Sequence, residues 1–167
     1  YTITNANMNG GQYGIYTTGC LEGLHIVNPL LVGQAIGVNA DATTCTNTPT
    51  IGHTVELEVI GGSYNSTTSA IKAQYWNQVS ITGVAAGSTS GNAIDISNSG
   101  PITISNSPLI STTSGTAAIN LSDTAQWTIS GNSISTTSTG ANGIKIAISS
   151  GTWVPGGAIV GNVISGL

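Results

Sequence analysis

Charge is the scarcest feature of this 167-residue sequence, because only 5% of its residues are Asp, Glu, Lys or Arg. An average soluble protein has about 25%. Arg and Phe are absent, and 2 Lys residues face 6 acidic residues, for a formal net charge of −4. A nucleic-acid interface needs clustered cations to replace phosphate counterions, so we expect no nucleic-acid partner. The same scarcity argues against helices with charged outer faces.

Long apolar runs are also missing. No stretch approaches the ~20 apolar residues that cross a bilayer as a helix, so we expect no membrane insertion. Apolar residues still make up 39% of the chain, which is too many for a disordered protein. Thr, Ser, Asn and Gly alternate with Ile and Val, a composition typical of a β protein with hydroxyls and amides outside. Tyr1 is not an initiator, so we expect a processed chain or a segment of a longer protein.

A repeat organises the chain. A first series of apolar-x-apolar units begins at Ile15, Ile36, Ile71, Ile94, Ile119 and Ile144, and the last four starts are 23, 25 and 25 residues apart. A second series lies between them, beginning at Leu24, Leu57, Val79, Ile102 and Trp127. A shorter third series follows each of these. Three short strands per repeat predict an all-β fold, a parallel β-helix solenoid of about six coils in a single domain over residues 1–167. Longer spacings place loop insertions near residues 39–53 and 147–157.

The turn after each second strand is rich in Asn and Gly, as in Ile104-Ser-Asn106 and Ile129-Ser-Gly-Asn132. Both residues tolerate the left-handed backbone of a sharp turn. A β-sandwich or jelly roll is the alternative fold, since it also has many short strands at regular spacing. That fold gives no reason for one residue class to recur at one position of every repeat.

Segments such as Gly91-Asn-Ala-Ile-Asp-Ile96 and Gly143-Ile-Lys-Ile146 resemble the coils of right-handed parallel β-helix proteins of the pectate-lyase-like type. The almost charge-free version, rich in Thr, Ser and Asn, is similar to phage tailspikes and tail-fibre shafts. The resemblance implies a homotrimer, in a virion tail or otherwise extracellular, that attaches to host surface polysaccharide. It brings no catalytic motif to this sequence, because many activities share the fold. The alternative function is an extracellular structural or adhesive filament subunit without enzymatic activity.

Alignment of the repeats groups the few charges into rows of outward residues about 4.8 Å apart. The second series gives the row His25, Glu58, Ser80, Thr103 and Thr128. Glu56 lies one pleat from Glu58, about 6.6 Å away. Two carboxylates at roughly 6.5 to 9.5 Å suit an inverting glycosidase, so the enzymatic hypothesis is an endoglycosidase with Glu56 and Glu58 as catalytic residues. The alternative is a strand face on which His25 offsets its acidic neighbours.

The first series gives a second outward row: Tyr16, Gly37, Lys72, Asp95, Asn120 and Lys145. Lys72 and Asp95 are adjacent in it, so we expect them to form an ion pair. A polysaccharide lyase is disfavoured, because two lysines are few to neutralise the charge of uronate sugars.

Aromatic residues in loops are the candidates for sugar binding, because their faces stack on the C–H surfaces of pyranose rings. The first choices are Tyr75, Trp76 and Trp153, and the second choices are Tyr64 and Tyr16. His25 is a further candidate, as a polar binding residue. Trp127 aligns with the inward residues of the second series, which predicts a core position.

Cys20 and Cys45 follow the first strand in consecutive coils. Stacked coils would bring their Cα atoms within the 4.4 to 6.8 Å that a disulfide requires, the alternative being two buried thiols. No other spacing indicates metal ligands or a phosphate loop, so we expect no metal and no cofactor.

Overall fold

The computed structural model describes residues 1–45, 55–149 and 156–166. Within these residues the fold is all-β, and every strand pair is parallel. Parallel pairing between strands some 22 to 33 residues apart is consistent with a parallel β solenoid. It excludes the antiparallel sandwich. The same residues contain no helix of the length and hydropathy needed to cross a membrane.

The described strands form two sheets. Sheet A contains β1 (Thr2–Thr4), β4 (Leu24–Val27), β6 (Leu57–Ile60), β8 (Val79–Thr82), β11 (Ile102–Ser105), β14 (Trp127–Ser130) and β17 (Gly157–Val160), paired in that order. Sheet B contains β2 (Asn7–Asn9), β3 (Tyr13–Thr18), β5 (Leu30–Asp41), β7 (Ser63–Gln74), β9 (Ala85–Ser88), β10 (Ile94–Ser97), β12 (Leu109–Thr112), β13 (Ala117–Ser122), β15 (Ser133–Thr136), β16 (Asn142–Ala147) and β18 (Val163–Gly166). The long strands β5 and β7 join the two arms of sheet B, which carry the first and third series of the repeat.

Inward residues of successive strands stack into continuous aliphatic rows. One row of sheet A is fully buried and consists of Ile26, Val59, Ile81, Ile104 and Ile129. Burying a Val, Leu or Ile side chain stabilises the fold by about 1.5–3 kcal/mol. These rows form the core, and they fix which residues of each strand face outward because side chains alternate along a strand.

One part of the first series is out of the predicted register by two residues. Val38, and not Ile36, continues the inward row of this series. Asn39 therefore occupies the outward position that was predicted for Gly37. The pairing of β5 with β7 shifts register twice in the bend before Ile36. Such irregularities insert extra residues into one strand without a matching residue in its partner, so the spacing of the repeat changes there.

The two predicted insertions extend beyond the described residues. β5 continues to Asp41, so the insertion predicted near 39–53 starts after that residue. The second one, predicted near 147–157, lies between the end of β16 at Ala147 and the start of β17 at Gly157.

A residue with a left-handed backbone follows each described strand of sheet A. The φ angle is between 51° and 68° at Asn5, Asn28, Gly61, Gly83, Asn106, Gly131 and Gly161. All seven are Gly or Asn, since a Cβ meets the following carbonyl oxygen in this conformation and only these residues adopt it routinely. The prediction of Asn- and Gly-rich turns is therefore confirmed.

Side-chain amides connect neighbouring turns at one end of this column. The Asn132 side chain accepts a hydrogen bond from Ser107 N at 3.0 Å and donates one to Ile104 O at 2.9 Å. Asn162 repeats the arrangement one strand later, accepting from Asn132 N and donating to Ile129 O. Each amide thus satisfies backbone groups of a neighbouring strand and holds the two turns in register.

Substitution of Gly83 tests the left-handed turn. A Cβ at Gly83 would meet no atom within 4 Å, so the cost of Gly83→Ala is conformational, because φ is +68°. We expect it to lower the free energy of unfolding by about 1 kcal/mol, measured by urea denaturation. Gly87→Ala is the matched control, because Gly87 has no positive φ and its added Cβ makes ordinary contacts. Equal stability of the two variants would contradict the assignment.

Cys20 and Cys45 form a disulfide with their Cα atoms 5.1 Å apart. Cys20 follows β3 and Cys45 follows β5, and these strands pair in parallel, which brings the two connections together. The bond closes a loop with a sequence separation of 25 residues.

Removal of the disulfide should lower stability mainly because the unfolded chain gains conformational entropy. A loop of this length predicts a loss of about 3 kcal/mol in the Cys20→Ser, Cys45→Ser double variant, measured as the free energy of unfolding. A reducing agent should destabilise the unaltered chain by a similar amount and leave the double variant unchanged. A reductant effect on the double variant would show that the loss has another origin.

Candidate functional site

The strand register brings His25, Glu58, Ser80, Thr103 and Thr128 into one outward row, as the second series predicts. We call this row the sheet A face. Neighbouring members are about 4.8 Å apart, as paired strands are. The two titratable groups lie at one end of the row, and three hydroxyl side chains follow them. The face is therefore largely an uncharged, hydrogen-bonding surface.

His25 and Glu58 are bonded to each other across the strands. His25 Nδ1 donates to Glu58 Oε2 at 2.9 Å. The proton lies on Nδ1 because an ionised carboxylate can only accept. The side chains are 37% and 33% exposed, so the pair is a surface contact that contributes at most about 1 kcal/mol to stability.

Glu56 precedes β6 and has a different neighbour. Its Oε1 accepts a hydrogen bond from Gln78 Nε2 at 3.5 Å, the upper limit for such a contact. Each of the two predicted catalytic carboxylates therefore has its own partner, Gln78 for Glu56 and His25 for Glu58. Both residues lie at the charged end of the sheet A face, and their catalytic role stays a prediction.

A cleft of about 350 Å³ lies at the opposite end of this face. Strands β11, β14 and β17 line it with the hydroxyls of Thr103 and Thr128, the amide of Gln126 and the indole of Trp127. We call it the Trp127 cleft. Ligand pockets in proteins start at about 300 Å³, so the cleft is large enough for a small ligand.

Trp127 combines a core contact with exposure to the cleft. It belongs to the inward row, as predicted, but it is only partly buried and packs against the edge of the core. Its register partner on β17 is Gly157, where a Cβ would overlap both the Trp127 carbonyl oxygen and the indole ring. Glycine at this position leaves the space that the indole occupies. Sequence reasoning missed the cleft, because Gly157 follows a predicted insertion and its pairing with Trp127 is visible only in the structure.

Trp76 is buried, which corrects the prediction that it faces a glycan. It is 1% exposed, its indole Nε1 donates to Ala40 O at 3.0 Å, and its backbone N donates to Ser99 Oγ at 3.0 Å. The physical reason is the preceding residue, Tyr75, whose φ of +62° turns the chain so that the next side chain enters the core. A sequence pattern shows this segment only as a loop.

Tyr64 is also a core residue and not a second choice for sugar binding. Its hydroxyl donates to Gly61 O at 3.2 Å, and burial raises the pKa of its phenol. It occupies the inward row of the third series beside Leu31 and Ala86. Its ring is therefore inaccessible to a ligand.

Tyr75 remains an exposed aromatic at a corner of the molecule. Residues at the equivalent corner of the next strands, Asn98 and Asp123, share its positive φ. A bulky side chain in this conformation is uncommon and costs about 1–2 kcal/mol more than Gly. Its binding role stays a prediction. Trp153, the remaining first choice, lies outside the described residues.

The predicted ion pair between Lys72 and Asp95 does not form. The two residues are register neighbours, as expected. Asp95 Oδ1 instead accepts a hydrogen bond from Asn120 Nδ2 at 2.8 Å. The part of the chain that the structure describes also contains no group of three or more His, Cys, Asp or Glu side chains placed to hold a metal ion.

Comparison with known proteins assigns no family. No protein-family model, no curated protein and no solved structure matches the chain. Function therefore has to be inferred from the chemistry of the sheet A face and the Trp127 cleft.

Proposed function

We propose that the chain is a β-helix segment of the phage tailspike or tail-fibre type, right-handed and trimeric, that attaches to an uncharged polysaccharide of a host surface. The Trp127 cleft carries this proposal, because it combines an indole, two threonine hydroxyls and the Gln126 amide in one recess. An indole face stacks on the C–H surface of a pyranose. Hydroxyl and amide groups both donate and accept, as sugar hydroxyls require.

The sheet A face extends the cleft into a track for a polymer. Glu58 lies two strands from Thr103, a distance of about 10 Å, with Ser80 between them. A polysaccharide bound in the Trp127 cleft can therefore run along the hydroxyl row to His25 and Glu58. Scarcity of charge on this track favours an uncharged ligand, since a charged one would lose its hydration without gaining ionic partners.

The disulfide supports an extracellular location. Disulfides persist in oxidising compartments and are rare in the cytosol. The cross-link between Cys20 and Cys45 also stiffens the connection between two neighbouring strands, as expected for a protein that works outside a cell.

Substitution of Trp127 tests the attachment function. We expect the unaltered chain to be retarded in affinity electrophoresis through gels that contain purified, uncharged bacterial surface polysaccharides. Trp127→Ala should weaken the retardation at least about tenfold, because it removes the stacking face. Trp127→Tyr keeps an aromatic face and should bind more tightly than the Ala variant. Failure of the unaltered chain to bind any polysaccharide of the panel would overturn the proposal.

Glycan-degrading activity would belong to the charged end of the same track. Any depolymerising activity of the chain on the polysaccharide that it binds should fall at least about 100-fold in Glu56→Gln or Glu58→Gln, as expected when a general acid or base is removed. The readout is the mean length of the polysaccharide, and retardation in the gel is measured alongside it to separate a loss of turnover from a loss of binding. Equal turnover by both variants and the unaltered chain would remove these residues from the catalytic role.

A structural or adhesive filament subunit is the second candidate. The observation that favours it is a cluster of exposed apolar side chains on β17 and β18, namely Ile159, Val160, Val163 and Ile164. In this candidate, a further copy of the chain packs on these two strands. Sedimentation distinguishes the candidates, because a closed trimer has one mass whereas a filament grows with concentration and should shorten in Val163→Ser. A stable monomer would contradict both assemblies.

A further inference from the structure

A stacked aromatic pair marks a second face of the molecule. The rings of Tyr13 and Tyr16, both on β3, have centroids 4.7 Å apart and an angle of 17° between their planes. They are nevertheless 38% and 51% exposed. Single exposed aromatics are common on protein surfaces, but stacking holds these two in a fixed orientation before a ligand arrives. The pair is therefore a preorganised apolar platform.

The residue beside this platform is a largely buried asparagine. Asn39 on β5 is the register partner of Tyr16, and it is 8% exposed. Its side chain forms no hydrogen bond with another described residue. Among the described residues, the buried side-chain atoms without a hydrogen-bond partner belong to Thr17, Gln34, Ser66 and Thr124, so water still reaches the amide of Asn39. A ligand hydroxyl can replace that water, because the amide both donates and accepts hydrogen bonds.

The outward row continues from Asn39 with a donor, an acceptor and an amide that does both. Lys72, Asp95 and Asn120 follow at about 4.8 Å intervals. Asp95 is held by the Asn120 amide at 2.8 Å, and Lys72 forms no ion pair within the described part of the chain. The ammonium group therefore stays available to a ligand. We call these five residues, from Tyr16 to Asn120, the Tyr16 row.

We propose that the Tyr16 row is a second saccharide site, so that one chain binds two uncharged sugar segments. Tyr13 and Tyr16 provide the stacking surface, Asn39 and Lys72 contact hydroxyls, and the opposite charges of Lys72 and Asp95 leave this part of the row uncharged. The site belongs to sheet B and the Trp127 cleft to sheet A, so the two share no contact residue. The proposal rests on the proposed function, because both sites take the same class of ligand. Two sites on one rigid chain increase avidity for a repeating polymer.

Nuclear magnetic resonance separates the two sites in one titration. The probe is a short oligosaccharide prepared from the polysaccharide that the unaltered chain retains in affinity electrophoresis. The reporters are the indole N–H signal of Trp127 and the ring signals of Tyr13. We expect both to change with independent saturation curves and a stoichiometry of two oligosaccharides per chain. This stoichiometry does not depend on how many chains assemble.

Variants assign each response to its site. Trp127→Ala should keep the change at Tyr13, and Tyr16→Ala should lose it while the Trp127 signal still responds. Lys72→Met keeps the aliphatic stem and should weaken the Tyr13 response about tenfold. Tyr1→Ala removes an exposed aromatic outside both sites and should change neither response. Circular dichroism confirms that each variant is folded.

Two results would overturn the second site. In the first, the Trp127 signal of the unaltered chain responds and the Tyr13 signals do not. In the second, Tyr16→Ala still binds two oligosaccharides per chain. Either result leaves attachment through the Trp127 cleft intact. A probe that changes neither reporter would refute the proposed function and the second site together.

Discussion

The left-handed turn after each strand of sheet A is the constraint on which the outward rows depend. Seven Gly or Asn residues with the same positive φ recur at this position. A slip of one residue would place residues other than Gly or Asn in that conformation at most of these turns. It would also turn the inward row of aliphatic residues towards solvent at every repeat, so the register is strongly specified. The side-chain amides of Asn132 and Asn162 reinforce it by bonding to the backbone of the preceding strands.

Because the register is fixed, the few charged residues of the sequence occupy defined positions on the surface. Residues far apart in sequence become neighbours at about 4.8 Å, so the few ionisable groups meet specific partners. His25 meets Glu58, and Asp95 meets Asn120. The remaining outward positions carry mostly hydroxyls and amides on a backbone that parallel pairing and one disulfide hold rigid. Such a surface is suited to the hydroxyl groups of an uncharged polymer, which need many donors and acceptors in a fixed arrangement.

The sequence predicts best where the repeat is regular. The sheet A face could be predicted because its strands follow one another without a bulge, and the in-and-out alternation then determines the row from His25 to Thr128. Asn39 could not be placed, because the bend of β5 adds residues that no periodicity reveals. The burial of Trp76 could not be predicted, because it depends on the left-handed conformation of Tyr75, which is a property of the folded chain. The Trp127 cleft depends on Gly157, which lies across a predicted insertion, so only the strand pairing shows that the two residues are partners.

Amide chemical-shift mapping of the unaltered chain tests whether the in-register outward residues of sheet A form a saccharide-binding surface. The titrant is the uncharged surface polysaccharide, shortened to soluble oligosaccharides. The account predicts the largest changes on sheet A at Trp127, Thr103 and Thr128, with smaller ones continuing to Ser80 and little change in the fully buried row around Ile104 and Ile129. Saturation without changes at Trp127 and its two threonine neighbours would contradict it.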